Sequence, residues 1–260
     1  MTTIFTPAQF EEGIKYAEDN FQNEAANHLR VDKQLIRRKF DLTGMQVLDF
    51  GCGMGGMSLW YAHNWDCKVH AVDIDGQHIQ VAKLVQEKHG VTNVLFEKRD
   101  ILAKPLEGSY DFIFMNDVAE HIDYPILERI LRQLAKVVSA KGRLFISYPP
   151  WRSPYASHVT HIVGLPWCQF LPKRMLLNLI EKNNQPLVGE HESDLLQAYH
   201  GLNHLTHRKL MEVASNAGWK TVTRKSHSIL NKLPGLRDIN FNVFPFDFIV
   251  TKEFLLLEKA

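Results

Sequence analysis

A short apolar run that ends in a cluster of glycines constrains the fold of this chain more than any other stretch. Residues 45–50 are mostly apolar and have the length of a buried strand. They lead into Gly-Cys-Gly-Met-Gly-Gly over residues 51–56, and residues 57–63 can then form a helix. A strand, a glycine turn and a helix N-terminus in this order direct backbone N–H groups at a ligand and let the backbone approach it closely.

The spacing of the glycines fits two kinds of cofactor. Gly51, Gly53 and Gly56 match the G-x-G-x-x-G fingerprint of dinucleotide-binding folds. Gly51, Gly53 and Gly55, with Asp49 two positions ahead, resemble motif I of the class I S-adenosylmethionine (SAM) methyltransferases. A carboxylate at this place would repel a pyrophosphate but can pair with the ammonium group of SAM. The acid therefore favours SAM.

Two further acids follow predicted strands. Residues 68–74 alternate like a strand, and Asp73 at its end lies 20 positions after Gly53. This is close to the spacing of about 20 residues for an acid that hydrogen-bonds ribose hydroxyls. Asp100 follows a third strand, residues 93–98. In SAM methyltransferases, which this region resembles, an acid there accepts a hydrogen bond from the adenine amino group. The alternative for Asp100 is a turn cap.

The segment after the fourth predicted strand carries more candidates. Residues 110–116 are almost continuously apolar, as expected of a strand buried on both faces, and Asn-Asp-Val-Ala-Glu-His-Ile closes the run at 116–122. This segment resembles its counterpart in small-molecule methyltransferases of the ubiquinone-biosynthesis type, through Val118, Glu120, His121 and Ile122. Strand ends at this edge line the ligand crevice of a parallel sheet. We predict that Glu120 instead caps the next helix.

These observations give one set of predicted cofactor-binding residues. The set comprises Asp49, Gly51, Cys52, Gly53, Gly55, Asp73, Ile74, Asp100, Ile101, Asn116, Asp117 and His121.

Five predicted strands that alternate with helices up to residue 148 indicate a parallel, doubly wound sheet. Residues 220–226 and 247–258 resemble the antiparallel pair that ends the sheet in this family. We therefore predict a single α/β domain, residues 1–260, with a Rossmann-like, mostly parallel sheet. Its predicted parts are a helical cap (1–42), a SAM-binding core (43–148), an acceptor lid after strand five (149–203), and a C-terminal helix and strands (204–260). Whether the N-terminal helices cover the cofactor or only pack on the sheet stays open.

The predicted lid is rich in Pro, Trp, Tyr and His. Methyl transfer requires a nucleophile held in line with the methyl group, and a general base where the acceptor must lose a proton. Because histidine suits this role near neutral pH, we predict His158 and His161 as catalytic residues, with Tyr155 behind them. For each, a surface or packing role is the alternative. We expect no metal, because the two histidines lack a nearby cysteine or carboxylate of metal-site spacing.

The composition limits the classes of binding partner and the cellular compartment that we expect. A net charge of +1 gives no strong field for nucleic acid or an anionic membrane. No apolar run approaches the roughly 20 residues of a membrane span, and no secretion leader is visible. Three cysteines without a CxxC spacing suggest a reduced, cytoplasmic protein. Tyr148-Pro149-Pro150-Trp151 differs from the nucleic-acid amino methyltransferase motif in its first residue and in its position after the fifth strand.

We expect the chain to transfer a methyl group from SAM to an O, N or C atom of a small organic acceptor held among the aromatic rings of the lid. Two alternatives remain at this point: an NAD(P)-dependent oxidoreductase, and a SAM-binding protein that transfers no methyl group.

Overall fold

The computed structural model describes residues 5–25, 29–182 and 199–260. Within these ranges, seven strands form one sheet in the order β3-β2-β1-β4-β5-β7-β6. The strands are β1 (Gln46–Phe50), β2 (Lys68–Asp73), β3 (Val94–Lys98), β4 (Tyr110–Asn116), β5 (Val138–Tyr148), β6 (Trp219–Ser228) and β7 (Val250–Lys259). The first five are parallel, and β7 runs antiparallel to both β5 and β6. The predicted α/β fold is confirmed.

The helices surround this sheet, and several begin at a side-chain cap. They are α1 (Pro7–Gln22), α2 (Arg30–Lys39), α3 (Gly56–Asn64), α4 (Gly76–His89), α5 (Tyr124–Val137), α6 (Thr160–Val163), α7 (Lys173–Lys182) and α8 (His207–Asn216). Thr6, Asp75 and Thr206 each accept a hydrogen bond from a backbone N–H of the first helical turn. Across the described ranges, none of the helices has the length and apolar character needed to cross a membrane.

The sheet separates two hydrophobic cores. Along β4, Ile113 and Met115 belong to the core that includes α5 and α8. Phe112 and Phe114 belong to the opposite core, which includes α1, α3 and α4. Because side chains alternate along a strand, two covered faces require an almost unbroken apolar run. Packing from both sides fixes the carboxyl ends of the strands along one edge of the sheet.

The fifth strand is longer than the sequence indicated. Lys-Gly at residues 141–142 is typical of a turn that leads into a strand over residues 143–148, but β5 already begins at Val138, which pairs with Tyr110. The pairing then skips to Phe112 and Arg143, so the residues between them bulge out of the ladder. The expected turn is therefore a bulge inside the strand.

The N-terminal helices lie against the glycine turn. Helix α1 packs on α3 and α4. A Cβ added at Gly56 would lie 2.6 Å from the Cβ of Asn20, so the two helices touch where α3 begins. That these helices cover the cofactor, and that the chain divides into cap, core and lid, remain predictions. Of the predicted lid, the structure describes residues 149–182 and 199–203.

Candidate active site

The glycine turn after β1 has a backbone that glycine alone adopts readily. Gly51, Gly53 and Gly55 all have positive φ, at 72°, 51° and 81°. Added Cβ atoms at Gly51 and Gly55 would lie 2.6 and 2.7 Å from neighbouring side chains, so these two glycines allow close packing. At Gly53 no heavy atom lies within 4 Å of an added Cβ. The turn therefore leaves a cradle at Gly53, as a close-approaching ligand requires.

Asp73 is tied to this cradle. One carboxylate oxygen accepts a hydrogen bond from the backbone N–H of Gly53, and the other from that of Asp75, both at 2.8 Å. Burial raises the pKa of Asp73, but hydrogen bonding and charge from His78, together with the two amides, outweigh it and hold the pKa below its usual value. A charged carboxylate thus lies at the end of β2 beside the turn, where we predicted the ribose-binding acid.

The pKa of Asp49 is raised, whereas that of Asp73 is lowered. Its side chain is buried at the end of β1 and accepts a hydrogen bond from the Ser58 hydroxyl of α3 at 2.6 Å. Burial, opposed by the Ser58 hydrogen bond and assisted by the charge of Asp73, raises the pKa of Asp49 to about 7. Beside it, burial raises the pKa of the Cys52 thiol well above its usual value. Cys52 therefore contributes a neutral thiol and its backbone.

Three other predicted cofactor-binding residues, Ile74, Ile101 and Asp100, differ in their surroundings. Ile74 is 60% exposed directly after Asp73, so its apolar face is accessible to a ligand. Ile101 is 2% exposed and packs in the hydrophobic core. Asp100 caps a turn, with Oδ1 accepting from the backbone N–H groups of Leu102 and Ala103 at 2.8 and 3.4 Å. The turn-cap alternative for Asp100 is thus present, and its role toward adenine stays a prediction.

Asn116 and Asp117 close β4 in a buried polar network. The Asn116 amide donates to the Tyr61 hydroxyl at 2.6 Å, and its oxygen accepts from the Ser147 hydroxyl at 3.2 Å. Asp117 adopts φ of 52°, which is uncommon for a residue other than glycine. Its carboxylate accepts a hydrogen bond from the Lys252 ammonium of β7 at 2.7 Å. These contacts fix both residues at the carboxyl end of β4, on the edge of the sheet that also carries the glycine turn.

The Lys252 ammonium also donates to the buried Asp32 of α2, so three charged side chains from distant parts of the chain meet. Burial lowers the pKa of Lys252, but the charges of Asp117 and Asp32 outweigh it and raise that pKa above its usual range. Burial raises the pKa of Asp32 despite its contact with Lys252. A buried pair of this kind is costly to break, because removing one partner leaves the other charge uncompensated.

Glu120, His121 and His158 meet at the same edge of the sheet. Glu120 and His121 lie in a short 3₁₀ helix after β4, and His158 follows β5. The nearest pair of polar atoms between Glu120 and His158, Oε1 and Nε2, is 3.8 Å apart, and the two imidazole rings pack edge to face with centroids 4.8 Å apart. This places a carboxylate and two imidazoles side by side.

Glu120 does not have the capping role that we predicted. Its side chain is only 3% exposed, and α5 has Asp123, not Glu120, at its N-cap. Burial, and then the charge of Asp117, raise the pKa of Glu120 well above its usual value. The prediction failed because the sequence of the turn gives no sign that His158 lies over it.

The predicted lid clamps this short helix. The side-chain amide of Asn203 donates to the carbonyls of Ala119 and Ile122, both at 2.7 Å, and its backbone N–H donates to the carbonyl of Glu120 at 2.8 Å. Three hydrogen bonds from one residue therefore hold the backbone on both sides of Glu120 and His121.

The other two predicted catalytic residues are Tyr155 and His161. Tyr155 is half-exposed, and its carbonyl accepts a hydrogen bond from the His158 N–H at 3.3 Å. The backbone of His161 lies in α6, but its side chain lies outside the described part of the structure. Of the two whose side chains the structure describes, His158 is the one that lies beside Glu120 and His121. The catalytic roles of all three stay predictions.

Sequence reasoning missed Glu120, Asp32 and Lys252. The adjacent charges Lys252-Glu253 inside an otherwise apolar strand were a usable signal, because a charge within a buried strand needs a partner. Nothing in the sequence near Asp32 identified it as that partner.

The fold and this edge define a Rossmann-like protein that binds an adenosine-type cofactor, and comparisons with known proteins identify its family. A family model described as "Methyltransferase domain" matches residues 41–191, more than half of the 260-residue chain. The chain belongs to this family, within the class I SAM-dependent methyltransferases, and SAM is its cofactor. The match decides against the NAD(P)-dependent alternative.

Individual relatives agree with this assignment. The ubiquinone biosynthesis O-methyltransferase of Xanthomonas oryzae pv. oryzae (strain PXO99A) is 32% identical over 129 residues, covering 47% of this chain and 50% of the relative. The match spans about half the length of such curated relatives.

Two solved structures resemble the whole chain. Magnesium protoporphyrin IX methyltransferase (ChlM) from Synechocystis PCC 6803, crystallised with S-adenosylhomocysteine (SAH), has a TM-score of 0.55 and 17% identity, covering 96% of this chain and 94% of that one. The [4+2]-cyclase SpnF has a TM-score of 0.57 and 14% identity, covering 89% and 80%. At these identities the likeness shows the fold alone.

Proposed function

We propose that the chain transfers the methyl group of SAM to a hydroxyl oxygen of a small organic acceptor that lies against Glu120, His121 and His158. The observation that carries the proposal is the meeting of these side chains beside the glycine turn. The two regions are in close reach, because a Cβ added at Gly51 would lie 2.6 Å from Val118, two residues before Glu120. The O-methyltransferase named among the relatives supports oxygen as the methylated atom.

The cofactor side of this proposal assigns a part to each residue around the cradle. When bound, SAM supplies a methyl group on a positively charged sulfur and leaves as SAH. Asp73 is suited to accept hydrogen bonds from ribose hydroxyls, and Asp49 to pair with the ammonium group. The exposed Ile74 offers an apolar surface for the adenine, and Gly53 leaves room for the ligand.

Methyl transfer to a hydroxyl oxygen requires removal of the hydroxyl proton. A hydroxyl is a weak nucleophile until its proton is removed or its pKa is lowered. The imidazole of His158, with the Glu120 carboxylate 3.8 Å away, is suited to take that proton, because a nearby carboxylate favours the imidazolium form. Trp151, which follows β5 as His158 does, stacks on His204 with ring centroids 3.9 Å apart and offers an aromatic surface for the acceptor.

The test measures binding and transfer on the same proteins. Calorimetry with SAH reports the cofactor site, and SAH release from SAM with a panel of phenols, catechols, amines and enolic carbon acids reports transfer. We expect release with hydroxyl compounds, and His158→Ala should lower it by about 10²–10⁴-fold while leaving the Kd of SAH unchanged. His63→Ala, an exposed histidine on α3, is the matched control. Release with amines or carbon acids alone, or unchanged turnover in His158→Ala, would contradict the proposal.

A further inference from the structure

Three side chains of metal-ligating type converge at the predicted acceptor site. The ligand atoms of Glu120, His121 and His158 all lie within 4.8 Å of one another. We propose that they form a binding site for a divalent cation of the Zn²⁺ type, with one coordination position left for the acceptor oxygen. This deepens the proposed function, on which it rests for the identity of that fourth ligand.

The donor set and its geometry suit such a cation. Two imidazoles and one carboxylate are a recurrent set for catalytic zinc, which keeps three protein ligands and an open position. With zinc–ligand bonds of about 2.1 Å, tetrahedral donors lie about 3.4 Å apart. The Glu120 Oε1 to His158 Nε2 distance of 3.8 Å is slightly longer. Binding would require side-chain rotations that bring donors now up to 4.8 Å apart to that separation.

The Glu120 carboxylate lies 3.8 Å from His158 Nε2, beyond hydrogen-bond distance. Its side chain is 97% buried, and within the described ranges neither oxygen has a hydrogen-bond donor. Burying an uncompensated carboxylate is expensive, and coordination to a metal is one of the few arrangements that compensate it. His121 is exposed, so the cluster extends from the buried Glu120 to the protein surface, where an acceptor can reach it.

The charged side chains around Glu120 also favour a bound cation. Three buried or largely buried carboxylates, those of Asp32, Asp117 and Glu120, interact with the single ammonium of Lys252. A divalent cation on Glu120 would stabilise its charged carboxylate, which burial and the neighbouring acids otherwise disfavour. It would also attract an acceptor oxygen and favour loss of its proton to solvent, because a bound cation stabilises the resulting anion. With its ring nitrogen on the cation, His158 would then position the acceptor, and the role of base would pass to water.

Hydrogen bonds hold the backbone around two of the proposed ligands, Glu120 and His121. Asn203 holds the carbonyls on both sides of Glu120 and His121 with three hydrogen bonds. A cation site requires ligands held by such supporting contacts, because unsupported side chains lose affinity.

Metal titration of the 260-residue chain tests the site directly. The protein is treated with a chelator, dialysed and titrated with Co²⁺, whose visible absorption reports a low-symmetry site of nitrogen and oxygen ligands, and Zn²⁺ is then added as competitor. We expect one Co²⁺ per chain that Zn²⁺ displaces. Glu120→Gln and His121→Ala should each weaken it by at least about 100-fold. Glu128→Gln, on the adjacent helix α5, is the matched carboxylate control and should bind as the unmodified protein does. An unfolding midpoint in urea close to that of the unmodified protein shows that each variant is folded.

The outcomes separate the cation site from the proposed function. Binding of Co²⁺ that Glu120→Gln and His121→Ala leave intact would place the cation elsewhere and overturn the site. A chelator-treated protein that takes up no Co²⁺ but still releases SAH with hydroxyl acceptors would also overturn it, while leaving the proposed function in place with His158 as base. Uptake of Co²⁺ that depends on Glu120 and His121, without release of SAH on any hydroxyl acceptor, would support the site and contradict the proposed acceptor.

Discussion

Binding of the cofactor should be coupled to release of a proton from Asp49. In the cofactor-free protein, burial raises the pKa of this carboxyl to about 7, against an ordinary value of 3.8. If the cofactor's ammonium group pairs with the carboxylate, the bound form will have a much lower pKa. SAH carries the same ammonium group and serves as a stable probe. Its Kd should therefore rise about tenfold as the pH falls from about 8 to about 6, since the carboxyl must first lose its proton.

Asp49→Asn is the matched control for this prediction. The amide preserves the shape of the side chain and an oxygen that accepts from Ser58, but it does not titrate. Calorimetry over this pH range in buffers of different ionisation enthalpy measures both the Kd and the protons released. Any titration of SAH itself affects both proteins equally, so the difference between them isolates Asp49. A Kd that changes with pH in the same way in both proteins would refute the ammonium assignment.

The same carboxyl should also affect the stability of the cofactor-free protein. Because its folded-state pKa is raised, its stabilising protonated form is fully present below about pH 4 and is lost as the pH rises through about 7. The shift of about 3 units corresponds to about 4 kcal/mol. In urea denaturation, Asp49→Asn should therefore gain stability over the unmodified protein near pH 8 by an amount of that order, and nothing near pH 4. An equal difference at both pH values would contradict the burial of a charged Asp49.

Three further predictions concern the cradle and the buried charges. Asp73→Ala should weaken SAH binding by about 1.5–3 kcal/mol in calorimetry, because charge-assisted hydrogen bonds are lost; unchanged affinity would refute the ribose assignment. Gly53→Ala should cost only about 1–2 kcal/mol of unfolding free energy, because no atom lies within 4 Å of the added Cβ, but it should clearly weaken SAH binding. Full affinity in that variant would show that the cradle is not used. Lys252→Met should destabilise the protein by about 3–5 kcal/mol in urea, because it strands the carboxylates of Asp32 and Asp117. A loss below about 1 kcal/mol, as for an exposed pair, would contradict that contact.

The sheet and the cofactor edge could be predicted because their signals are local. An unbroken apolar run such as residues 110–116 has few solutions other than a strand covered on both faces, and the structure places β4 there. The glycine turn is similar, because the positive φ values of Gly51, Gly53 and Gly55 restrict the residue type at each position. The acid spacing then led to Asp73.

The acceptor side could not be predicted in the same way, because its environment comes from residues distant in the chain. Glu120 precedes a helix, which favours a capping role when the turn is considered alone. Its burial depends on His158 and on the hydrogen bonds from Asn203, and neither contact leaves a trace in the sequence around residue 120. Likewise, the short predicted strand 143–148 could not reveal the bulge in β5, which is set by its pairing with β4.

The contact between Lys252 and Asp32 joins residues 220 positions apart. Asp32 lies in α2 and its countercharge lies in β7, so the ribosome releases the acid well before the ammonium that pairs with it. In the interval, the nascent polypeptide holds an acidic group without this countercharge, beside strands that are otherwise ready to pair. A fragment ending before β7 should therefore fail to assemble the contact between Asp117 and Lys252, however complete its glycine turn, which makes this ion pair a useful reporter of the docking of β7.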